Sequence, residues 1–115
     1  MTKIETIVNA LKDINAFDII VFDTKKKSPF FDYFVISSVT SDRQLQAAIS
    51  HVNQDLTQND YPHPVIEGRN SKSWVLIDCK DIIINIFTRE EREYYNLEKM
   101  MVGIEQVELK STNDL

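Results

Sequence analysis

Three segments of the chain carry the sequence signals of α-helices, at 2–15, 41–59 and 88–101. In the first two, apolar residues recur three or four positions apart, as on one face of a helix; the first shows this at Ile4, Ile7 and Val8. All three begin with Ser or Thr followed three residues later by Glu or Gln, the spacing of a capping box. The pattern predicts three helices, the last of them running to residue 101.

Five shorter apolar runs are typical of β-strands, because they are rich in β-branched and aromatic residues and lie between polar or Pro-containing segments. They lie at 17–23, 32–38, 65–67, 73–78 and 81–87. Pro64 lacks the N–H donor that a central strand needs, so the run after it is predicted at a sheet edge. Only Cys79 and Lys80 separate the last two runs, which predicts an antiparallel hairpin.

The order of these elements predicts a single domain of the α/β (α+β) class. Helices would flank a mixed sheet of about five strands. The chain has 115 residues, the size of one domain, and 43% of them are hydrophobic, enough for one compact core. We expect the domain to occupy residues 1–103 and a polar C-terminal tail to occupy residues 104–115.

Glycine, cysteine and histidine are too few to build most cofactor sites. Only Gly68 and Gly103 occur, so the chain has neither a dinucleotide-binding fingerprint nor a P-loop. A single cysteine, Cys79, excludes an internal disulfide and a multi-cysteine metal site. His51 and His63 have no neighbours at metal-ligand spacing. We therefore expect no cofactor, no metal and no catalytic residue.

The acidic charge of the chain disfavours direct nucleic-acid binding; if the protein works near nucleic acid, we expect it to do so through a basic protein. At pH 7 the net charge is −5, from 18 acidic and 13 basic residues, whereas nucleic-acid binding needs a surplus of Lys and Arg. The one basic cluster, at 25–27, is expected in a solvated loop. We expect neither sequence-specific nucleic-acid binding nor membrane binding. No segment has the apolar length of a signal peptide or a membrane span, which predicts a cytoplasmic protein.

The segment S-S-V-T-S-D-R, at 37–43, superficially resembles a nucleotidyltransferase site, where a strand turns into a helix beside metal-binding carboxylates. Such a site needs a Gly-Ser turn and a second acidic residue spaced to hold Mg²⁺. Val39 occupies the turn, and no second carboxylate follows Asp42 at that spacing. The favoured interpretation is a helix N-cap at Ser41. A nucleotidyltransferase-type enzyme or nucleotide-binding domain remains the alternative.

The predicted hairpin carries the only tryptophan of the chain. Side chains alternate along a strand, so Trp74, Leu76 and Asp78 share one face and Val75 and Ile77 take the other. The isoleucine-rich face of the hairpin is the natural core. The face with the tryptophan is then either covered by a helix or open to a partner. In the open case, aromatic and leucine side chains inside an acidic rim would form a binding hot spot.

Three sequence segments together resemble one known family. They are D-Y-F-V-I-S-S-V-T-S-D-R-Q at 32–44, E-G-x-x-S-x-x-W-V-L-I-D-x-x-D-I-I-I-N-I-F at 67–87, and R-E-x-Y-x-L-E-K at 92–99. In this order the set resembles the ribosomal silencing factors, the Iojap and YbeB-like proteins. The resemblance extends from the first predicted helix to residue 101.

The resemblance implies a fold, a partner and a function. The fold would be a nucleotidyltransferase-like core without catalytic residues, usually in a homodimer. The partner would be the large ribosomal subunit, bound through its ribosomal protein uL14. A bound factor would sterically block joining of the small subunit and so repress translation under nutrient limitation.

The resemblance also implies the residues that bind the partner. Those that match the family's motifs are Trp74, Leu76, Asp78, Asp81, Tyr95, Leu97 and Glu98. We expect Trp74, Leu76 and Tyr95 to be apolar anchors and the three carboxylates to form a negative rim. The chain departs from the family's usual residues at Val39, Gln44, Cys79, Lys80, Asn85 and Met101.

Overall fold

A computed structural model describes residues 1–109 of the chain. Within them the chain forms three α-helices, one 3-10 helix and six strands. The helices are α1 (Lys3–Asp13), α2 (Asp42–Gln58), α3 (Arg89–Tyr95) and the 3-10 helix Leu97–Met101. The strands are β1 (Phe17–Asp23), β2 (Tyr33–Val39), β3 (Val65–Glu67), β4 (Trp74–Asp78), β5 (Ile82–Thr88) and β6 (Gln106–Val107).

The first two helices begin where the capping signals predict. The Thr2 hydroxyl accepts a hydrogen bond from the Glu5 N–H, and the Glu5 carboxylate accepts one from the Thr2 N–H, which completes a capping box. The Ser41 hydroxyl accepts from the Gln44 N–H, so the N-cap interpretation of Ser41 is confirmed. Each cap satisfies backbone donors that have no partner inside the helix.

The third helix is shorter than predicted. It ends after Tyr95, because Asn96 takes a left-handed conformation (φ 48°, ψ 58°) that stops the α-helix, and the 3-10 helix follows. Thr88 is the N-cap residue of α3, as predicted, but the predicted capping box is wrong, since within residues 1–109 no side-chain hydrogen bond caps α3. The Glu91 carboxylate accepts a hydrogen bond from the Ser73 hydroxyl instead and ties α3 to the start of β4.

One mixed sheet has the strand order β3-β4-β5-β2-β1-β6. The central pair, β2 and β5, is parallel, and every other pair is antiparallel, including the predicted β4–β5 hairpin. The edge position predicted for β3 is confirmed. The sheet has six strands where about five were predicted, since Gln106 and Val107 pair with Phe22 and Val21. This last strand lies in the segment expected to be a polar tail.

Helices α1 and α2 cover one face of the sheet and form the main core with it. Val75 and Ile77 of β4 are fully buried there, as are Ile84 and Ile86 of β5. The prediction that the isoleucine-rich face is the core is therefore confirmed. Burying such side chains stabilises the fold by roughly 1.5–3 kcal/mol each.

The opposite face of the sheet is only partly covered. The segment that follows β5 packs there, with Met101 and Leu97 against Phe22, Ile36 and Phe87. Toward β4 and the start of β2 this cover ends. We call the uncovered part, marked by the half-buried side chains of Phe34, Trp74, Leu76 and Ile83, the open face.

Candidate functional site

The indole of Trp74 forms the centre of an aromatic stack at one end of the open face. Its ring lies 4.9 Å from the ring of Phe87, measured between centroids, at an interplanar angle of 24°. On α3, the ring of Tyr95 lies 4.7 Å from the indole at 47°. Phe87 is fully buried, so Trp74 rests on the core with part of its surface exposed. The structure thus places Trp74 between the two predicted environments, neither fully buried nor free.

One hydrogen bond fixes the edge of the Trp74 ring. The indole Nε1 donates to Oδ1 of Asn85 over 3.1 Å. Asn85 is 1% exposed and pairs across the strands with Leu76. Within residues 1–109, its amide Nδ2 is buried without a hydrogen-bond partner. The Nε1 edge of the indole is thereby directed toward the sheet interior.

Two tyrosines extend the aromatic surface onto α3. The ring of Tyr94 lies 5.2 Å from that of Tyr95 in an edge-to-face contact. Tyr94 is 79% exposed and Tyr95 46% exposed. Leu76 lies next to Trp74 on the same face of β4, so the anchors predicted from the sequence, Trp74, Leu76 and Tyr95, lie together. Leu97 packs beneath them against the smaller core cluster and supports α3.

The predicted acidic rim does not form as expected around these anchors. Asp78 lies on the open face, half-buried, and its carboxylate accepts a hydrogen bond from the Lys80 N–H in the hairpin turn. Asp81 lies in the same turn, and its carboxylate is 2.6 Å from Nζ of Lys3 on α1. Trp74 and Asp78 are the two ends of β4, about 13 Å apart at 3.3 Å per residue. The structure therefore brings Asp78 and Asp81 to the far end of the face from Trp74.

Glu98 is directed toward a buried arginine. Its Oε2 lies 3.6 Å from Nε of Arg92, and within residues 1–109 its other oxygen is buried without a hydrogen-bond partner. Arg92 is 8% exposed and donates to the backbone oxygen of Asp18 and to the Ser38 hydroxyl. The pair fastens α3 to β1 and β2. Its carboxylate charge is largely taken up inside the protein.

Two further residues of the open face were not assigned to the site from sequence. Ile83 lies across from Asp78, and Phe34 lies across from Ile83 on the parallel neighbour β2. The alternation along β5 placed Ile83 on this face, but no sequence signal gives the register between β2 and β5. The position of Phe34 on the open face is therefore known only from the structure.

The remaining chemistry-bearing residues offer little for catalysis. Burial raises the pKa of the Cys79 thiol to about 12, so it stays protonated at neutral pH and is a poor nucleophile. Asp13, His51 and Asp55 bring one ligand atom each within 4.8 Å of one another at the surface between α1 and α2. These are the residues that could hold a metal ion, but all three are partly exposed and His51 makes ordinary contacts with both carboxylates.

A cleft of about 670 Å³ lies between β1 and α3. Its cationic groups already have partners: Arg92 is bound as described, and the guanidinium of Arg89 lies 4.9 Å from the centre of the Phe17 ring. The acidic Asp18, Glu93 and Glu98 line the same cleft. With three carboxylates against two arginines, the lining of the cleft has no surplus of the positive charge that favours a nucleotide phosphate. Within residues 1–109 there is also no helix long and apolar enough to cross a membrane.

The fold and the open face define a class: a small mixed α/β domain with one sheet face buried under helices and an aromatic patch on the other. Comparison with known proteins identifies the family within this class. The family model described as ribosomal silencing factor during starvation matches residues 1–114, and the chain belongs to this family.

Individual relatives agree with this assignment. The ribosomal silencing factor RsfS of Bacillus subtilis (strain 168) is 36% identical over 91 residues, covering 79% of this chain and 77% of the relative. A mouse protein named mitochondrial assembly of ribosomal large subunit protein 1 is 34% identical over 100 residues, covering 84% of this chain and 44% of its own length. A crystal structure of a Bacillus halodurans protein superposes with a TM-score of 0.81 at 32% identity, covering 92% of this chain and 96% of that one.

Proposed function

We propose that this chain binds the large ribosomal subunit through the ribosomal protein uL14 and thereby prevents the small subunit from joining. Translation would be repressed in this way under nutrient limitation, in the cytoplasm. The observation that carries the proposal is the aromatic open face of a chain that belongs to the ribosomal silencing factors. The mouse relative supports the choice of subunit, because its name refers to the large one.

The open face has the physical properties of a protein-binding surface. Energetically important contact residues are enriched in Trp and Tyr, and they lie in well-packed surroundings. Trp74 and Tyr95 meet both conditions, because the Trp74 ring stacks on the buried Phe87 and the Tyr95 ring contacts both in tilted geometry. Leu76, Ile83 and Phe34 continue the apolar surface toward the start of β2. A rigid strand pair presents these side chains without an ordering cost on binding.

The charge of the chain fits a basic ribosomal protein. With a net charge of −5, the whole molecule attracts a cationic partner and speeds their encounter. Asp78 is the acidic residue predicted for the rim that lies on the open face itself. Asp81 and Glu98 are each close to a cation of this chain, so their contribution would be through the long-range field more than through direct contacts.

The size of the domain supports the proposed block of subunit joining. The described part of the chain measures 34 × 33 × 30 Å. Two ribosomal subunits must come into van der Waals contact to join, so a domain of this size on the joining surface keeps them apart. No catalytic step is needed for this effect.

The isolated chain is proposed to be a homodimer, a feature implied by its resemblance to the family. The exposed side chains of Tyr94, Met100 and Val102 give physical support, since each is at least 75% exposed. Light scattering at about tens of micromolar, well above a usual dimer Kd, should return twice the chain mass. A strictly monomeric mass at that concentration would contradict this part of the proposal.

Co-sedimentation with separated subunits tests the main proposal. In sucrose gradients the chain should travel with large subunits and not with small ones. Added before the small subunits, it should lower the yield of joined ribosomes. Isolated uL14 should bind the chain as well. Equal recovery with both subunits, or none with either, would rule the proposal out; binding to large subunits but not to uL14 would rule out only the named contact.

A further inference from the structure

The open face contains one polar side chain in a position that suits an apolar one. Asn85 lies in a row across the sheet between Leu76 of β4 and Ile36 of β2, and it is 1% exposed. Its Oδ1 accepts from the indole of Trp74, while within residues 1–109 its Nδ2 has no hydrogen-bond partner. A buried donor without a partner destabilises the folded state. Its hydrogen bond to Trp74 is an interaction that an apolar side chain of the same shape could not make.

The hydrogen bond to Asn85 restricts the orientation of the indole in a way that stacking on Phe87 does not. Stacking on Phe87 sets the plane of the indole, but a flip of about 180° about χ2 returns the ring to the same plane with its Nε1 edge on the opposite side. The bond from Nε1 to Oδ1 of Asn85 selects one of these orientations. It also determines which edge of the indole remains exposed toward a partner.

We propose that Asn85 is a positioning residue, which holds the Trp74 indole in the orientation that binds the partner. The inference rests on the proposed function, because the partner surface it serves is the open face. Asn85 itself is too deeply buried to contact a partner and acts through Trp74. Without this hydrogen bond the indole would populate both orientations, and the apparent affinity would fall in proportion to the competent fraction.

The single tryptophan of the chain gives a direct measure of this orientation. Asn85→Leu keeps the branched outline of the side chain but removes the acceptor. We expect a lower fluorescence anisotropy and a shifted emission spectrum for Trp74 in the folded variant, with thermal stability equal to or above that of the parent. Binding to large subunits should weaken about 3- to 10-fold. If the Leu variant folds poorly, Asn85→Ala replaces it, because alanine adds no bulk. The Ala variant should show the same changes in fluorescence and binding.

A double-mutant cycle separates positioning from a general structural effect. Trp74→Phe keeps an aromatic ring over Phe87 but has no donor for Asn85. If Asn85 acts through the indole, Asn85→Leu should weaken binding in the parent and change it less than twofold in the Trp74→Phe background. Thr6→Val, a buried polar-to-apolar change on α1 at the helix-covered face of the sheet, serves as the control and should leave Trp74 fluorescence unchanged.

Each outcome decides the proposal. Unchanged anisotropy and emission in both Asn85 variants would overturn it, and so would equal losses of affinity with and without the indole donor. These fluorescence results do not depend on the ribosome. If the parent chain failed to bind large subunits at all, the proposed function would fall, whereas the fluorescence comparison would still show whether Asn85 orients Trp74.

Discussion

Lys3 and Asp81 are 78 positions apart in sequence, and Nζ of the one lies 2.6 Å from a carboxylate oxygen of the other. The same ammonium group also donates to the backbone oxygen of Cys79. The first helix is thereby joined to the turn of the β4–β5 hairpin. The pair gives Asp81 a structural partner within the chain, besides the binding role predicted for it from sequence.

Asp81→Asn should lower stability slightly and in a salt-dependent way. The Asp81 side chain is 50% exposed, so the pair contributes about 0.2–1 kcal/mol, less at high ionic strength. Urea unfolding at low and at high salt measures this difference. Binding to large subunits should weaken mainly at low salt through a slower association rate. Glu105→Gln, at an exposed acidic residue before β6, is the matched control for the lost charge.

Trp74→Ala should weaken binding to the large subunit by about 30- to 1000-fold, the effect of removing 2–4 kcal/mol from an aromatic anchor. Because the indole is half-buried on Phe87, the same change should also lower the free energy of unfolding by roughly 2 kcal/mol. Both quantities should be measured on one sample.

Tyr61→Ala is the control for that experiment. Tyr61 is a half-buried aromatic residue that packs against the core on the helix-covered side of the sheet. The Tyr61→Ala protein should lose a comparable free energy of unfolding and keep its affinity for the large subunit. If the Trp74→Ala protein, still folded, bound as well as the parent, the indole would have no place in the binding surface.

The Cys79 thiol should react slowly while the protein is folded. Burial raises its pKa from 9.0 to about 12, so the thiolate is scarce at pH 8. Alkylation with iodoacetamide at pH 8 should be much slower in native protein than in urea. Because the folded pKa lies above the unfolded one, the contribution to stability is full below pH 9 and is lost as the pH rises toward about 12. Cys79→Ser should remove this part of the pH dependence; an equal rate in native and unfolded protein would contradict the prediction.

Nucleotide turnover distinguishes the proposed function from the enzyme alternative. We expect no hydrolysis or transfer from nucleoside triphosphates with Mg²⁺, because Asp42 lies at the start of α2 behind a Ser41 cap and has no second carboxylate at metal-binding spacing. Product formation measured by chromatography should equal the protein-free control. Turnover that disappears in Asp42→Ala would establish the enzyme alternative.

The local rules of the sequence predicted most of the fold. Strand alternation placed Trp74 and Leu76 on one face and Ile84 and Ile86 in the core, since a period of two leaves no other choice once one face is buried. The end of α3 was not predictable, because Asn96 takes a left-handed conformation that most sequences with Asn do not adopt. The strand at Gln106 was missed as well, because two polar-flanked residues form a strand only where the edge of β1 is there to receive them.

The site was less predictable than the fold. Strand alternation put Trp74 and Leu76 on one face and the resemblance added Tyr95, and the structure brings the three together; their role in binding stays a prediction. The roles of Asp81 and Glu98 depend on Lys3 and Arg92, whose positions follow only from the way the helices pack. Asn85 looks like any strand residue until its partner across the hairpin is known.

The parallel pairing of β2 with β5 has a consequence for the newly made chain. Val35 lies beside Ile84, so the middle of the sheet cannot close until the chain has been synthesised and released as far as the end of β5. The helices α1 and α2 and the hairpin of β1 with β2 are made before that point and have to wait, with their apolar sides uncovered. A protein proposed to act on ribosomes thus becomes competent only after its own β5 has been translated, and the nascent segment before β5 should depend on chaperones more than the folded domain does.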